Sequence, residues 1–143
     1  MWAPYYTLHK LMQGLLDQYA HMKRQTALRV LVSLVGYVGK RTEAVVAAKG
    51  LEWWRGCLNM EYGGMNDVLY SLYAVTGDDS HLRLAKLFDK PCFTAPLAAG
   101  DDPLSGLHAN THLPLVMGAA ARYEATGEAG VETPPPTHPN PPR

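Results

Sequence analysis

A chain of 143 residues is about one domain long, and at 47% hydrophobic and 18% charged it can bury a globular core. Thirteen basic residues balance thirteen acidic ones without gathering into a block, which argues against a nucleic-acid partner or an anionic membrane. No apolar run approaches the ~20 residues of a membrane span, and no signal peptide is visible at the N-terminus.

The two cysteines, Cys57 and Cys92, stand far apart and form no CxxC pair. They read as isolated thiols buried as small hydrophobes, with a disulfide as the alternative, and they leave the compartment open.

In chain order, the spacing predicts a first helix over residues 5–22, with Leu8, Leu11, Met12, Leu15, Leu16 and Tyr19 as one apolar stripe. Pro4 falls where a first-turn proline is tolerated. A second helix is expected from Thr26, as N-cap, to residue 41, on Ala27, Val30, Leu31, Leu34, Val35 and Val38. Residues 42–48 can continue it to a stop at Gly50. Gly36 and Gly39 weaken it by about 1 kcal/mol each relative to alanine, and so imply close helix packing or a softened end. Residues 51–58 read as a short helical connector.

A third helix begins at Met65, carries Val68, Leu69, Leu72 and Tyr73 inward, and stops at Gly77. Asp79 or Ser80 is expected to cap a fourth, with Leu82, Leu84, Leu87 and Phe88 in the core and Pro91 as its end. Residues 99–103 have turn chemistry. A fifth helix is expected over 111–126, its inward face formed by Leu113, Val116, Met117, Ala120 and Ala121, with Gly127 as the stop. The tail, residues 129–143, is proline-rich and is expected to be disordered or polyproline II.

No strand pattern survives, so the chain is expected to be all-α. Tyr73-Ala-Val-Thr-Gly-Asp and Tyr123-Glu-Ala-Thr-Gly-Glu lie fifty residues apart and close the third and fifth helices alike. A helix and its return helix at this period signal stacked helical hairpins, in a solenoid or a closed toroid.

Each repeat places its unusual polar residues where its first helix begins: Tyr5, Tyr6 and His9; then Glu61, Gly63, Gly64, Asn66 and Asp67; then His108, Asn110, Thr111 and His112. Helix N-termini offer free N–H groups and partial positive charge, which suit hydroxyl-rich or anionic ligands. If the three helices line one cavity, their entrances converge on it. Plainer roles fit the same residues. His9 fits a hydrogen-bonded boundary position, Asn110 and Thr111 fit N-caps, Gly63-Gly64 fits a tight turn, and Glu61 and Asp67 fit first-turn acids. His108 and His112 have the i, i+4 spacing of a ligand pair, but nothing nearby completes a metal site. Glu61 and Asp67, six apart, face different sides of a helix and make a poor glycosidase carboxylate pair.

Taken together, Ala3-Pro4-Tyr5-Tyr6-Thr7-Leu8-His9-Lys10, the segment 61–78, and Leu107-His108-Ala109-Asn110-Thr111-His112-Leu113-Pro114 resemble the β-L-arabinofuranosidase-type glycoside hydrolases of family 127. Leu87-Phe88-Asp89-Lys90-Pro91-Cys92-Phe93 is most similar to the plant and green-lineage branch. The resemblance spans residues 2–128, the expected catalytic-domain part. It implies an (α/α)6 toroid, of which this chain would hold about half, followed in the complete protein by β-sandwich domains. It also implies a retaining hydrolase of terminal L-arabinofuranosyl groups. A zinc-bound cysteine is its nucleophile and a glutamate its acid/base, with zinc ligands C-terminal to the matched region. Cys57 and Cys92 do not match that ligand motif, so the resemblance assigns this chain neither a catalytic residue nor a metal ligand. It places His9 and His108 against the sugar, makes Glu61 and Asn66 further contacts on the same cavity, and lets Tyr5 and Tyr6 pack on a sugar face.

The expectation is therefore a partial glycoside hydrolase that binds an L-arabinofuranose-containing glycan and lacks its zinc centre. The alternative is a non-catalytic helical binding or scaffold protein that self-associates through the open toroid edge.

Overall fold

A computed structural model of the chain describes residues 4–59 and 62–128. Seven helices run through them: α1 (Pro4–Met22), α2 (Gln25–Lys49), α3 (Leu51–Cys57), α4 (Met65–Thr76), α5 (Asp79–Leu87), α6 (Pro91–Ala98) and α7 (Ala109–Thr126). No strand occurs among the described residues, so the chain is all-α as expected. The expected tail, 129–143, lies outside them. No described helix is long and apolar enough to cross a membrane.

The short turns make successive helices antiparallel partners. Lys23, in the left-handed region at φ 54°, turns α1 into α2, and its N–H returns to the Tyr19 carbonyl at 2.9 Å. Gly77, left-handed at φ 66°, turns α4 into α5. Two layers result. One holds α1, α4 and α7, with α4 packed against both neighbours; the other holds α2 and α5. An arc of an (α/α)6 toroid has this arrangement. The core fills the space between the layers with Met12 and Leu16 of α1, Leu31, Val35 and Val38 of α2, Val68, Leu69 and Leu72 of α4, and Leu84 and Ala85 of α5. Each large side chain removed from water there contributes about 1.5–3 kcal/mol. At Gly39 a Cβ would meet the Leu84 side chain of α5 at 3.6 Å, an ordinary van der Waals contact, so the packing there does not require glycine.

An aromatic cluster seals one end. Trp54 and Phe88 meet edge to face at 5.3 Å between ring centroids, Tyr5 is edge-on to both, and Tyr62 leans on Phe88 at 5.9 Å. The buried Trp54 indole N–H donates to the Leu87 carbonyl at 2.6 Å.

Four expectations are corrected. The second helix begins one residue before Thr26, with Arg24 at the N-cap position and no side-chain cap bond; it continues through 42–48 and stops at Gly50, as the sequence allowed. Asp78, rather than Asp79 or Ser80, caps α5, its carboxylate accepting from the Ser80 N–H at 2.8 Å. Pro91 does not merely end α5; it opens α6 at a first-turn position, where its missing N–H costs nothing. Finally, α7 turns a different face inward. Leu115, Gly118 and Arg122 are buried, whereas Leu113, Val116 and Met117 are 58%, 48% and 60% exposed. The buried face carries a glycine and an arginine, so hydrophobic spacing pointed to the opposite side.

Candidate functional site

The N-terminal ends of α4 and α7 and one turn of α1 enclose a cleft of about 270 Å³, lined by His9, Gly64, Asp67, Ala109, Asn110, Leu113, Pro114 and Met117. Polar groups from all three helices of one layer thus meet in one place.

His9 is the most constrained of them. It is 7% exposed, and its Nδ1 is buried without a hydrogen-bond partner. The ring lies against the two glycines that precede α4. Gly63 is left-handed at φ 61°, and a Cβ on it would overlap His9 Nδ1; a Cβ on Gly64 would sit 3.0 Å from Nε2. The Gly-Gly pair is therefore more than a turn, because it is the surface on which the imidazole rests. Burial, with the charge of Lys10 second, lowers the His9 pKa from 6.5 to about 4. At neutral pH the ring carries one donor and one acceptor nitrogen and no charge. Tyr6 stands edge-on to it at 6.2 Å, with the Lys10 ammonium 5.3 Å from the Tyr6 centroid.

Asp67 sits in the first turn of α4, half-buried on the cleft wall. Burial raises its pKa, and the charges of Glu124 and Asp17 raise it further. Opposite, Asn110 begins α7, and Leu113, Pro114 and Met117 form an apolar wall. Polar groups on one side and apolar groups on the other match a sugar ring, with hydroxyls at its edge and C–H bonds on its face.

The family model described as β-L-arabinofuranosidase, GH127 catalytic domain, matches residues 1–133. The chain belongs to this family. A search of curated proteins gave no match.

Family membership gives the remaining sequence-selected residues a frame. His108 is exposed and does not line the cleft; it caps α7, with its Nδ1 accepting the Asn110 N–H at 3.1 Å. That bond places the proton of the neutral ring on Nε2, and it gives His108 the capping role expected of Asn110 and Thr111. Tyr5 points into the aromatic cluster, 5.6 Å from Trp54 and 5.2 Å from Phe88. Glu61 lies outside the described residues. His112 stacks on Phe93 at 6.5 Å, so the histidine pair at 108 and 112 is divided between a cap and a ring contact.

Asn66 faces another side of α4. It is 3% exposed, its amide packs flat on Gly118 of α7, and it lies beside Asp89. There it joins a buried polar network that spacing gave no reason to expect. Asp89 accepts from the Tyr70 hydroxyl at 2.6 Å and from Arg122 Nη1 at 2.7 Å. The Arg122 Nη2 donates to Glu128 at 3.0 Å, and Lys86 reaches Glu128 at 3.2 Å. The network ties α4, the α5–α6 junction and the end of α7 together. Burial raises the Asp89 pKa, opposed by hydrogen bonds and by the Arg122 charge; burial and Asp89 together push the Tyr70 hydroxyl well up. The signal in the sequence was the one Lys or Arg of α7, placed directly after the small-residue run Gly-Ala-Ala-Ala.

The zinc centre implied by the family resemblance does not fit these side chains. Cys57 is half-buried and Cys92 exposed, both free, and no group of three or more His, Cys, Asp or Glu among the described residues is placed to hold a metal ion.

Proposed function

We propose that this chain forms part of the sugar-binding wall of an arabinofuranosidase-like retaining glycoside hydrolase. The cleft would receive a terminal L-arabinofuranosyl group of a glycan, and the zinc–cysteine centre of the full-length enzyme would come from residues other than those described. The observation that carries this reading is the neutral His9 imidazole, fixed on a glycine pair with an orphaned buried nitrogen, on the wall of a cleft that also holds Asp67 and Asn110. Neutral imidazole and amide groups both donate to and accept from hydroxyls. Tyr6 braces His9 from outside the cleft lining, with Lys10 over its ring, and Tyr5 and Asn66 support the walls from within. His108 stands at the start of α7, and its Nε2–H remains as a donor.

Titration of the purified chain with methyl β-L-arabinofuranoside, followed by NMR, tests the reading. The His9 ring and the Asn110 amide should shift with millimolar affinity, about −4 kcal/mol. Unmoved signals would refute it. With a chromogenic β-L-arabinofuranoside and added zinc, the expected outcome is negligible turnover; a rate near the ~10 s⁻¹ typical of enzymes would overturn the assignment of the catalytic centre to other residues.

One observation favours the second reading, a non-catalytic binding protein that self-associates. Leu113, Val116, Met117 and Tyr123 form an exposed apolar row on α7, the kind of surface that marks an interaction site. Sedimentation discriminates, because a strictly monomeric chain argues against association through that edge.

A further inference from the structure

We infer that Asp67 is the specificity-determining residue of this cleft: its carboxylate accepts hydrogen bonds from sugar hydroxyls and restricts the site to uncharged glycosyl units. The inference rests on the proposal that the cleft binds a sugar.

Three observations support it. First, Asp67 does not perform the local task an acid at this position usually performs. Third in its helix, it could accept the N–H of the capping residue Gly64, as in a capping box. No such bond forms, and no other hydrogen bond or ion pair among the described residues engages the carboxylate. The half-buried carboxylate thus keeps its acceptor capacity open on the cleft wall, where a ligand hydroxyl can reach it. Second, the lining contains no lysine or arginine, and its one histidine, His9, is neutral. The charges that act on Asp67 are Glu124 of α7 and Asp17 of α1, both of its own sign. Lys10, whose charge acts on His9, lies outside the lining over the Tyr6 ring. Around Asp67 itself the field is therefore negative, and it opposes a uronate or a sugar phosphate while accepting a neutral polyol. Third, His9 and Asp67 share the cleft wall, so a ligand that fills the cleft meets a neutral imidazole and the carboxylate together.

The test is an NMR titration of the wild-type chain, Asp67→Asn and Asp67→Ala. Two probes are used: methyl β-L-arabinofuranoside and the corresponding glycoside with a carboxylate at C5. Circular dichroism first establishes that the variants are folded. Wild type should bind the neutral glycoside at least about tenfold more tightly than the acid, the scale of a charge-assisted hydrogen bond gained or a like charge opposed. Asp67→Ala should lose about tenfold or more for the neutral probe, and Asp67→Asn should bring the two probes to within about threefold of each other. An Asp67→Asn chain that still discriminates tenfold would overturn the inference, as would an Asp67→Ala chain that binds the neutral probe like wild type. Failure of the wild type to bind either glycoside refutes the sugar-site reading itself, a result distinct from both.

Discussion

Replacing Gly118 by alanine sets two known effects against each other, and the structure decides between them. In an exposed helix the change would stabilise by up to about 1 kcal/mol, because glycine is the poorer helix former. Here the new Cβ would overlap the amide carbon, nitrogen and oxygen of Asn66, a side chain that is only 3% exposed. Overpacking of this kind costs about 1–3 kcal/mol. Subtracting the propensity gain leaves a net loss of about 1–2 kcal/mol. That should lower the thermal midpoint by roughly 5 °C for a domain of this size. Urea unfolding followed by circular dichroism measures it, and the double variant Asn66→Ala/Gly118→Ala supplies the internal check. Once the amide is gone the Cβ has room, so the double variant should be less destabilised than the sum of the two singles, by about 1 kcal/mol or more. A Gly118→Ala chain as stable as wild type, or strict additivity in the cycle, would refute the reasoning.

Gly63→Ala forces an L residue into the left-handed region at φ 61° and drives its Cβ into His9, so we expect a loss of about 2–4 kcal/mol and a shifted His9 ring signal; an unchanged His9 spectrum would count against the cradle. His9 has a folded pKa of about 4, below its unfolded 6.5, so the stability it contributes is complete above pH 6.5 and is lost as pH falls towards 4. The loss is at most about 3 kcal/mol at ~1.4 kcal/mol per pH unit, and an NMR titration that places the His9 transition near 6.5 would contradict it. Asp89→Asn removes the charge that faces Arg122 at 2.7 Å in a site where the two side chains are 15% and 9% exposed, and should destabilise by about 3 kcal/mol in urea. Tyr70→Phe removes one bond to the same carboxylate and should cost about half as much.

The helices themselves were legible because their apolar residues recur at helical spacing and their ends are marked by left-handed glycines such as Gly77 and Gly127. α6 was not, because Pro91 carries the same sequence signal whether it terminates one helix or begins the next. The buried face of α7 was misread for a related reason. Hydrophobicity counts side chains, but that helix buries the absence of one at Gly118 and a paired charge at Arg122. In the candidate site, the three helix entrances could be located from the sequence. Their division of labour could not: His9, Gly64, Asp67 and Asn110 line the cleft, while Asn66 and Tyr5 turn into the interior. Residues adjacent in sequence point about 100° apart around a helix, and only the packing of α7 on α4 settles which side belongs to the cleft.

Because α4 lies between α1 and α7, and the backbones of those two do not approach each other, the spacing between the cleft's facing walls is set by the girth of α4 alone. A bulkier side chain on the flank of α4 that abuts α7 would push Leu113 and Met117 away from His9 without touching anything the ligand touches. A slimmer one would draw them in. The bore of the cleft can therefore be adjusted from beneath its floor, with its lining unchanged.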